Sequence, residues 1–168
     1  MGGASRYAES SACASTDVVG DAEDLVMYDD MNTCRDWGGK CCKRAPGCAF
    51  PEDFGLPNIE RLNAALASGR WAIDWWEGDP RDGINELDQA FFIRPAIKGY
   101  EGQRYHASWG GDCTFLGTNG CELASEKRPR QCRQLEPKPN SNCVLHGDSD
   151  KQSAAISWLK YADALIDK

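Results

Sequence analysis

A chain of 168 residues carrying 17 Gly and 8 Pro suits one small, turn-rich domain and excludes a large apolar core. A formal net charge of −7 argues against nucleic acid as the main partner, although Lys127, Arg128, Arg130 and Arg133 form a local basic patch. No apolar run is long enough to cross a bilayer, so no membrane partner is expected.

The opening residues, MGGASRYAESSACASTDVVG, lack the apolar stretch of a secretory signal, and Arg6 stands where a myristoylation motif needs Ser or Thr. The expected compartment is the cytoplasm. Residues 1–30 are small, polar and acidic and read as an N-terminal arm, with Cys13 as a spare thiol. Residues 31–168 read as the domain proper.

The first cysteine group, Cys34, Cys41, Cys42 and Cys48, falls in a segment whose WGGKCCKRAPGC run reads as a tight loop. A helix is predicted from Pro57 to Ser68: Ile59, Leu62 and Leu66 recur at helical spacing, Pro57 suits the first turn and Gly69 suits the end. In RWAIDWWEGDPRDG, the alternation of Trp71, Ile73 and Trp75 predicts one face of a strand, and GDPRDG predicts a turn. Glu77, Asp79, Asp82, Glu86 and Asp88 read as a solvated acidic turn. A second strand through Phe91, Phe92 and Ile93 ends at Pro95. Trp71, Trp75, Trp76, Phe91, Phe92 and Trp109 are candidate core aromatics, and His106 is a structural rather than catalytic histidine.

Next comes the second group, Cys113, Cys121, Cys132 and Cys143, in a stretch with neither helical nor strand periodicity, read as loops around a site. The chain closes on a predicted helix. Ser149 and Gln152 resemble a capping box, and Ile156, Leu159, Ala162, Leu165 and Ile166 make its apolar stripe. The expected fold is therefore α+β: a small, irregular, metal-stapled domain with two main helices, a few short strands and long ligand loops.

Eight clustered thiols in a reducing compartment point to metal rather than disulfides, because thiolates are soft anionic donors that suit zinc and iron–sulfur clusters. The candidate ligands are Cys34, Cys41, Cys42, Cys48, Cys113, Cys121, Cys132 and Cys143. His146, shortly after Cys143, is either a further ligand or a surface histidine. None of the spacings is a C-x2-C knuckle, which weighs against a zinc ribbon or a bacterial ferredoxin run. In an extended segment the adjacent Cys41 and Cys42 would point to opposite faces and serve different sites. In a tight turn they could serve one cluster. Two quartets in sequence order and two interleaved sites both stay open. Arg128 and Arg133 lie beside thiols and are candidate cofactor-binding residues that donate hydrogen bonds to sulfur; the alternative is exposed loop charge.

The order Cys113, Phe115-Leu116, Cys121, Leu123, Arg128-Pro129 and Cys132-Arg133, with Cys143 following, resembles the YkgJ-type CxxCxxCC cysteine-cluster family, a zinc- or iron-chelating family. This part spans about a fifth of the chain. Upstream the likeness is looser. The family packs three cysteine positions before its terminal pair, whereas here only Cys34 precedes Cys41-Cys42 and Cys48 follows as a replacement ligand. The resemblance implies eight-cysteine metal binding. A related region in flagellin lysine methylases is associated with a 4Fe–4S cluster, which favours iron–sulfur over zinc.

The resulting expectation is one or two 4Fe–4S clusters in a protein that transfers electrons or serves a larger enzyme as a cluster-stabilised partner. Its partner would be a redox protein or an enzyme complex. The alternatives are a structural zinc protein, a redox or group-transfer enzyme with an open cluster site, and a secreted disulfide scaffold. No Ser-His-Asp set, H-E-x2-H motif or phosphate-binding glycine loop is present to support other catalysis.

Overall fold

The computed structural model describes residues 39–44, 46–107, 110–136, 144–145 and 148–166. The expected arm at 1–30, Cys34, Trp109, Cys143 and His146 lie outside them, as does the side chain of Cys41. The described part is a small α+β fold of helices and short antiparallel strands. None of its helices is long and apolar enough to cross a membrane.

Its frame is the hairpin of β1 (Trp71–Glu77) and β2 (Gln89–Pro95), paired antiparallel from Trp71 opposite Pro95 to Glu77 opposite Gln89. Both edges are extended by single bridges. Ala49 donates to the Ile93 carbonyl at 2.8 Å beside β2, and Ile73 bridges Tyr105 beside β1. The strands were expected to bury one alternating face, yet Ala72, Ile73 and Asp74 are all buried in succession. The reason is that the hairpin is covered from both sides, which removes the alternation of a half-exposed strand.

The first helix, α1 (Lys40–Arg44), replaces the loop expected around Cys41 and Cys42. The next, α2 (Glu60–Ala67), begins later than its sequence pattern suggests. Pro57 lies ahead of it, and the Asn58 carboxamide takes the Glu60 N–H at 3.0 Å, so the start is set by Asn58. Leu62 and Leu66 face the core as expected, and Gly69 adopts φ +71° just beyond the end.

The closing helix is interrupted. After α4 (Lys151–Trp158) come a 3-10 turn at Leu159–Tyr161 and α5 (Ala162–Ile166); the short α3 (Arg130–Arg133) precedes them in the chain. The break rotates the apolar stripe. Ala154, Ala155, Trp158 and Leu165 are buried, whereas Ile156 and Ile166 are exposed. Asp150, not Ser149, is the cap: its carboxylate accepts the Ser153 N–H at 2.7 Å. Ser149 bonds Gln134 and Gln152 reaches the Pro80 carbonyl, so both polar side chains are spent on tertiary contacts.

Trp158 sits at the centre of the main core. Its Nε1–H donates to the Ala49 carbonyl at 2.8 Å, and its ring meets Phe54, which packs edge-on against Trp71 with centroids 5.1 Å apart. Phe92 is buried among them, with Trp71, Trp76 and Phe91 at the margin of the cluster.

A charge lies inside this frame. Arg94 has 0% exposure; its Nε donates to Asp74 Oδ2 at 2.8 Å, and its other nitrogens reach the Pro95 carbonyl and both the carbonyl and Nδ1 of His106. Asp74 Oδ1 in turn accepts the Trp75 N–H at 2.7 Å. Burial, then the Arg94 charge, holds His106 below the usual histidine range, which agrees with Nδ1 acting as acceptor. His106 is thus structural, as its sequence setting suggested.

Removing one partner leaves the other charge buried and unpaired. Asp74→Ala is expected to lower unfolding free energy by about 3–5 kcal/mol in urea titration, and Asp74→Ala with Arg94→Leu by clearly less than the sum of the single losses. Additive losses would show that the two side chains act independently.

Candidate metal centre

The segment Gly111–Thr114 is held from both sides. On one side its amides bond α1: Gly111 N–H donates to the Arg44 carbonyl at 3.0 Å, and Cys113 N–H to the Cys42 carbonyl at 2.6 Å. On the other, Lys98 N–H donates to the Asp112 carbonyl and Thr114 N–H to the Ala96 carbonyl, continuing the line of β2. Cys113 is therefore fixed between the pair-bearing helix and the hairpin, with 4% of its surface exposed.

From there the chain turns into β3 (Leu116–Gly117) and β4 (Gly120–Cys121), which pair Leu116 with Cys121. This small hairpin folds Cys121 back toward Cys113. Together Cys113, Phe115 and Leu116 form a second apolar cluster, with Cys42, Cys121, Leu123 and Trp71 packed against it. Gly39, at φ +64°, lets α1 approach closely: a Cβ there would stand 2.5 Å from a Leu116 methyl. Arg70 lies over the Phe115 ring at 4.1 Å while bonding the Thr114 carbonyl and Glu122, so it closes the cluster on its outer side.

Cys132 arrives on α3 and Cys48 on the loop before the 3-10 turn at Pro51–Phe54. Gln131 locks the two segments together. Its Oε1 accepts the Cys48 N–H at 2.6 Å, and its own N–H donates to the Cys48 carbonyl. The Cys132 sulfur lies against the backbone of Gly47, 2.5 Å from where a Cβ would be, so any side chain at 47 would collide with it. Asp53 completes the clamp. Its Oδ2 accepts N–H bonds from Phe50 at 2.8 Å and Arg130 at 2.9 Å, and its Oδ1 accepts from Arg133 at 2.8 Å.

The thiols differ in their electrostatics. Burial, with the negative charge of Asp74 next, pushes the Cys48 thiol up to about 12. Burial also raises Cys132, where charge on Cys113, Cys121 and Cys48 would add to the cost of ionising it. Cys113 moves the other way. The neighbouring Cys42 thiol lowers it most, against burial, and the Phe115 N–H, which donates to its sulfur at 3.4 Å, lowers it further.

Thus Cys42 of the first sequence group packs with Cys113 and Cys121 of the second, and the Cys48 segment is joined to that of Cys132. No disulfide joins these five residues to one another. Among the described residues no group of three or more His, Cys, Asp or Glu side chains is drawn tightly enough to hold a metal ion. The donor chemistry suits a soft metal, and Cys42 and Cys113 are in direct contact. Cys34, Cys143 and His146 lie outside the described residues.

Arg128 and Arg133, candidates for bonding sulfur, bond main-chain carbonyls and Asp53. Arg128, buried, donates from Nε to the Leu123 carbonyl; Arg133 donates to the Arg128 carbonyl and to Asp53. These bonds shape the loop from Leu123 to Arg133 and so set where Cys121 and Cys132 stand. Asp53 and Gln131 were not singled out by the sequence reading, because one acidic residue and one amide far apart in sequence carry no local signal.

Compared with known proteins, the chain matches no family model, no curated protein and no solved structure.

Asp53→Ala strips the acceptor from two backbone N–H groups and one guanidinium. A loss of about 1–3 kcal/mol is expected in denaturant titration, together with faster alkylation of Cys132 in the folded chain. Unchanged alkylation of Cys132 would separate Asp53 from the placement of that thiol.

Proposed function

We propose that this chain is a metal-binding protein whose clustered cysteines hold an iron–sulfur cluster of the 4Fe–4S type, and that it transfers electrons or supports a larger enzyme as a cluster-stabilised partner. The observation behind the reading is the meeting of Cys42 with Cys113, whose amide donates to the Cys42 carbonyl and whose apolar cluster Cys42 and Cys121 pack against. Thiols brought together from distant parts of the sequence supply the soft donors a thiophilic centre needs.

Cys42, Cys113, Cys121 and Cys132 are the residues that would hold the group, with Cys34, Cys41, Cys48 and Cys143 as the remaining candidates. When bound, a cluster supplies a one-electron couple. The chain's own part is to supply thiolates, to exclude water with Phe115, Leu116 and Trp71, and to hold the loops by Gln131 and Asp53. The resemblance to the YkgJ-type family, carried by Arg128-Pro129 and Cys132-Arg133 among other residues, supports zinc or iron, and the related region of flagellin lysine methylases favours iron–sulfur. Metal binding would also staple the fold. The segments bearing the cysteines contain only two-residue strands and four- or five-residue helices, which have little stability of their own.

Anaerobic purification is expected to yield a brown protein with broad absorption near ~400 nm that dithionite bleaches, and with iron and labile sulfide in similar amounts. Cys113→Ser and Cys132→Ser should each lose most of the iron and lower Tm. A colourless protein with stoichiometric zinc would replace the cluster by a structural zinc site, and a variant with full metal content would remove that cysteine from the ligand set.

A further inference from the structure

We propose that Cys42 and Cys113 form a dithiol modification site that small-molecule disulfides convert to an intramolecular disulfide in the metal-free chain. Three observations carry it. The Cys113 N–H to Cys42 carbonyl bond of 2.6 Å joins their backbones directly. A backbone bond of this kind brings the two Cα atoms into the neighbourhood of the roughly 4.4–6.8 Å that disulfides span. The side chains share one cluster, since Cys42 packs against the group formed by Cys113, Phe115 and Leu116. Finally, the pair has a way in: Cys42 keeps part of its surface, while Cys113 is enclosed behind it. Cys48, by contrast, is buried, and the Cys132 sulfur is pressed against Gly47.

The difference in access sets the order of events. With oxidised glutathione as oxidant, the Cys42 sulfur gives up its proton and attacks one sulfur of the glutathione disulfide. That S–S bond breaks and one glutathione leaves, taking up a proton as the thiol. The Cys113 sulfur then loses its proton and attacks the Cys42 sulfur of the mixed disulfide. The second glutathione is expelled as thiol and the Cys42–Cys113 bond closes. The protein loses two electrons and two protons, and one oxidised glutathione becomes two reduced molecules. Where Cys42 and Cys113 are metal ligands, the same closure is blocked by occupancy; this protection rests on the metal-binding reading, while the chemistry of the bare pair does not.

The test uses the full chain, reduced and stripped with a chelator, then treated anaerobically with oxidised glutathione and mapped by non-reducing peptide mass spectrometry. A Cys42–Cys113 link is expected, retained in Cys41→Ser and absent in Cys42→Ser. Cys113→Ser should stop at a mixed disulfide on Cys42. Since Cys41 and Cys42 share a tryptic peptide, fragmentation of the wild-type peptide decides between them even if a variant fails to fold. A link from Cys113 to Cys41 or to any other cysteine, or no link in a chain whose circular dichroism is native, overturns the proposal. Reconstitution with ferrous iron and sulfide should slow closure at least about tenfold. Equal rates with bound iron would remove this pair from the ligand set and leave the dithiol chemistry standing, whereas iron binding without closure in the stripped chain would do the reverse.

Discussion

A guanidinium without exposed surface is tolerable only if its surroundings answer every donor, and Arg94 sets that demand at the middle of this fold. Its bonds to Asp74, to the Pro95 carbonyl and to His106 tie β1, β2 and the returning segment at Tyr105 into one unit. A slip of one residue would carry Arg94 to the other face of the hairpin and leave Asp74 buried without it. The pair therefore restricts the pairing of the strands more tightly than their apolar side chains alone. Everything that bears on the cysteines is referred to this hairpin: Ala49 and hence Cys48 are bonded along β2, and Ala96 and Lys98, just past its end, hold the segment containing Cys113.

From that frame outward the cysteine region is held by polar contacts more than by burial of large side chains. Gln131 binds the main chain of Cys48 in both directions, and Asp53 gathers Phe50, Arg130 and Arg133. Two glycines do the complementary work of letting backbones approach: Gly39 under Leu116, and Gly47 under the Cys132 sulfur. An arrangement of this kind tolerates little change of shape. A small residue gives way to a sulfur at one point, and an amide fixes the height of that sulfur at the next.

The elements whose signals are local were legible in the sequence. The two strands of the hairpin, the helix bearing Leu62 and Leu66, and the terminal helical region stand where periodicity and turn residues put them. The deviations share a physical origin in tertiary contact. The helix at Lys40–Arg44 has no apolar period, because its C-terminal carbonyls are met by Gly111 and Cys113 rather than by a repeating stripe. The stripe of the last helix is misjudged once the 3-10 turn at Leu159 shifts the phase. At the candidate centre, the thiols themselves could be named from their clustering, and an interleaved arrangement was one of two left open. Their grouping could not be read, because Cys42 meets Cys113 through a crossing of α1 and the Gly111–Thr114 segment that no spacing encodes.

The electrostatics of the thiols give this crossing a further consequence. A thiol enclosed as Cys48 or Cys132 is resists ionisation, since its thiolate would lose hydration and meet other negative charge. A bound cation would reverse that balance, because its own charge is the largest in such a site and stabilises the thiolate directly. Cys113 differs, for the Phe115 N–H already faces its sulfur and its neighbour Cys42 holds it below the usual thiol range. On the two proposals, metal binding and disulfide exchange would both draw on one feature, the bond between the Cys113 amide and the Cys42 carbonyl.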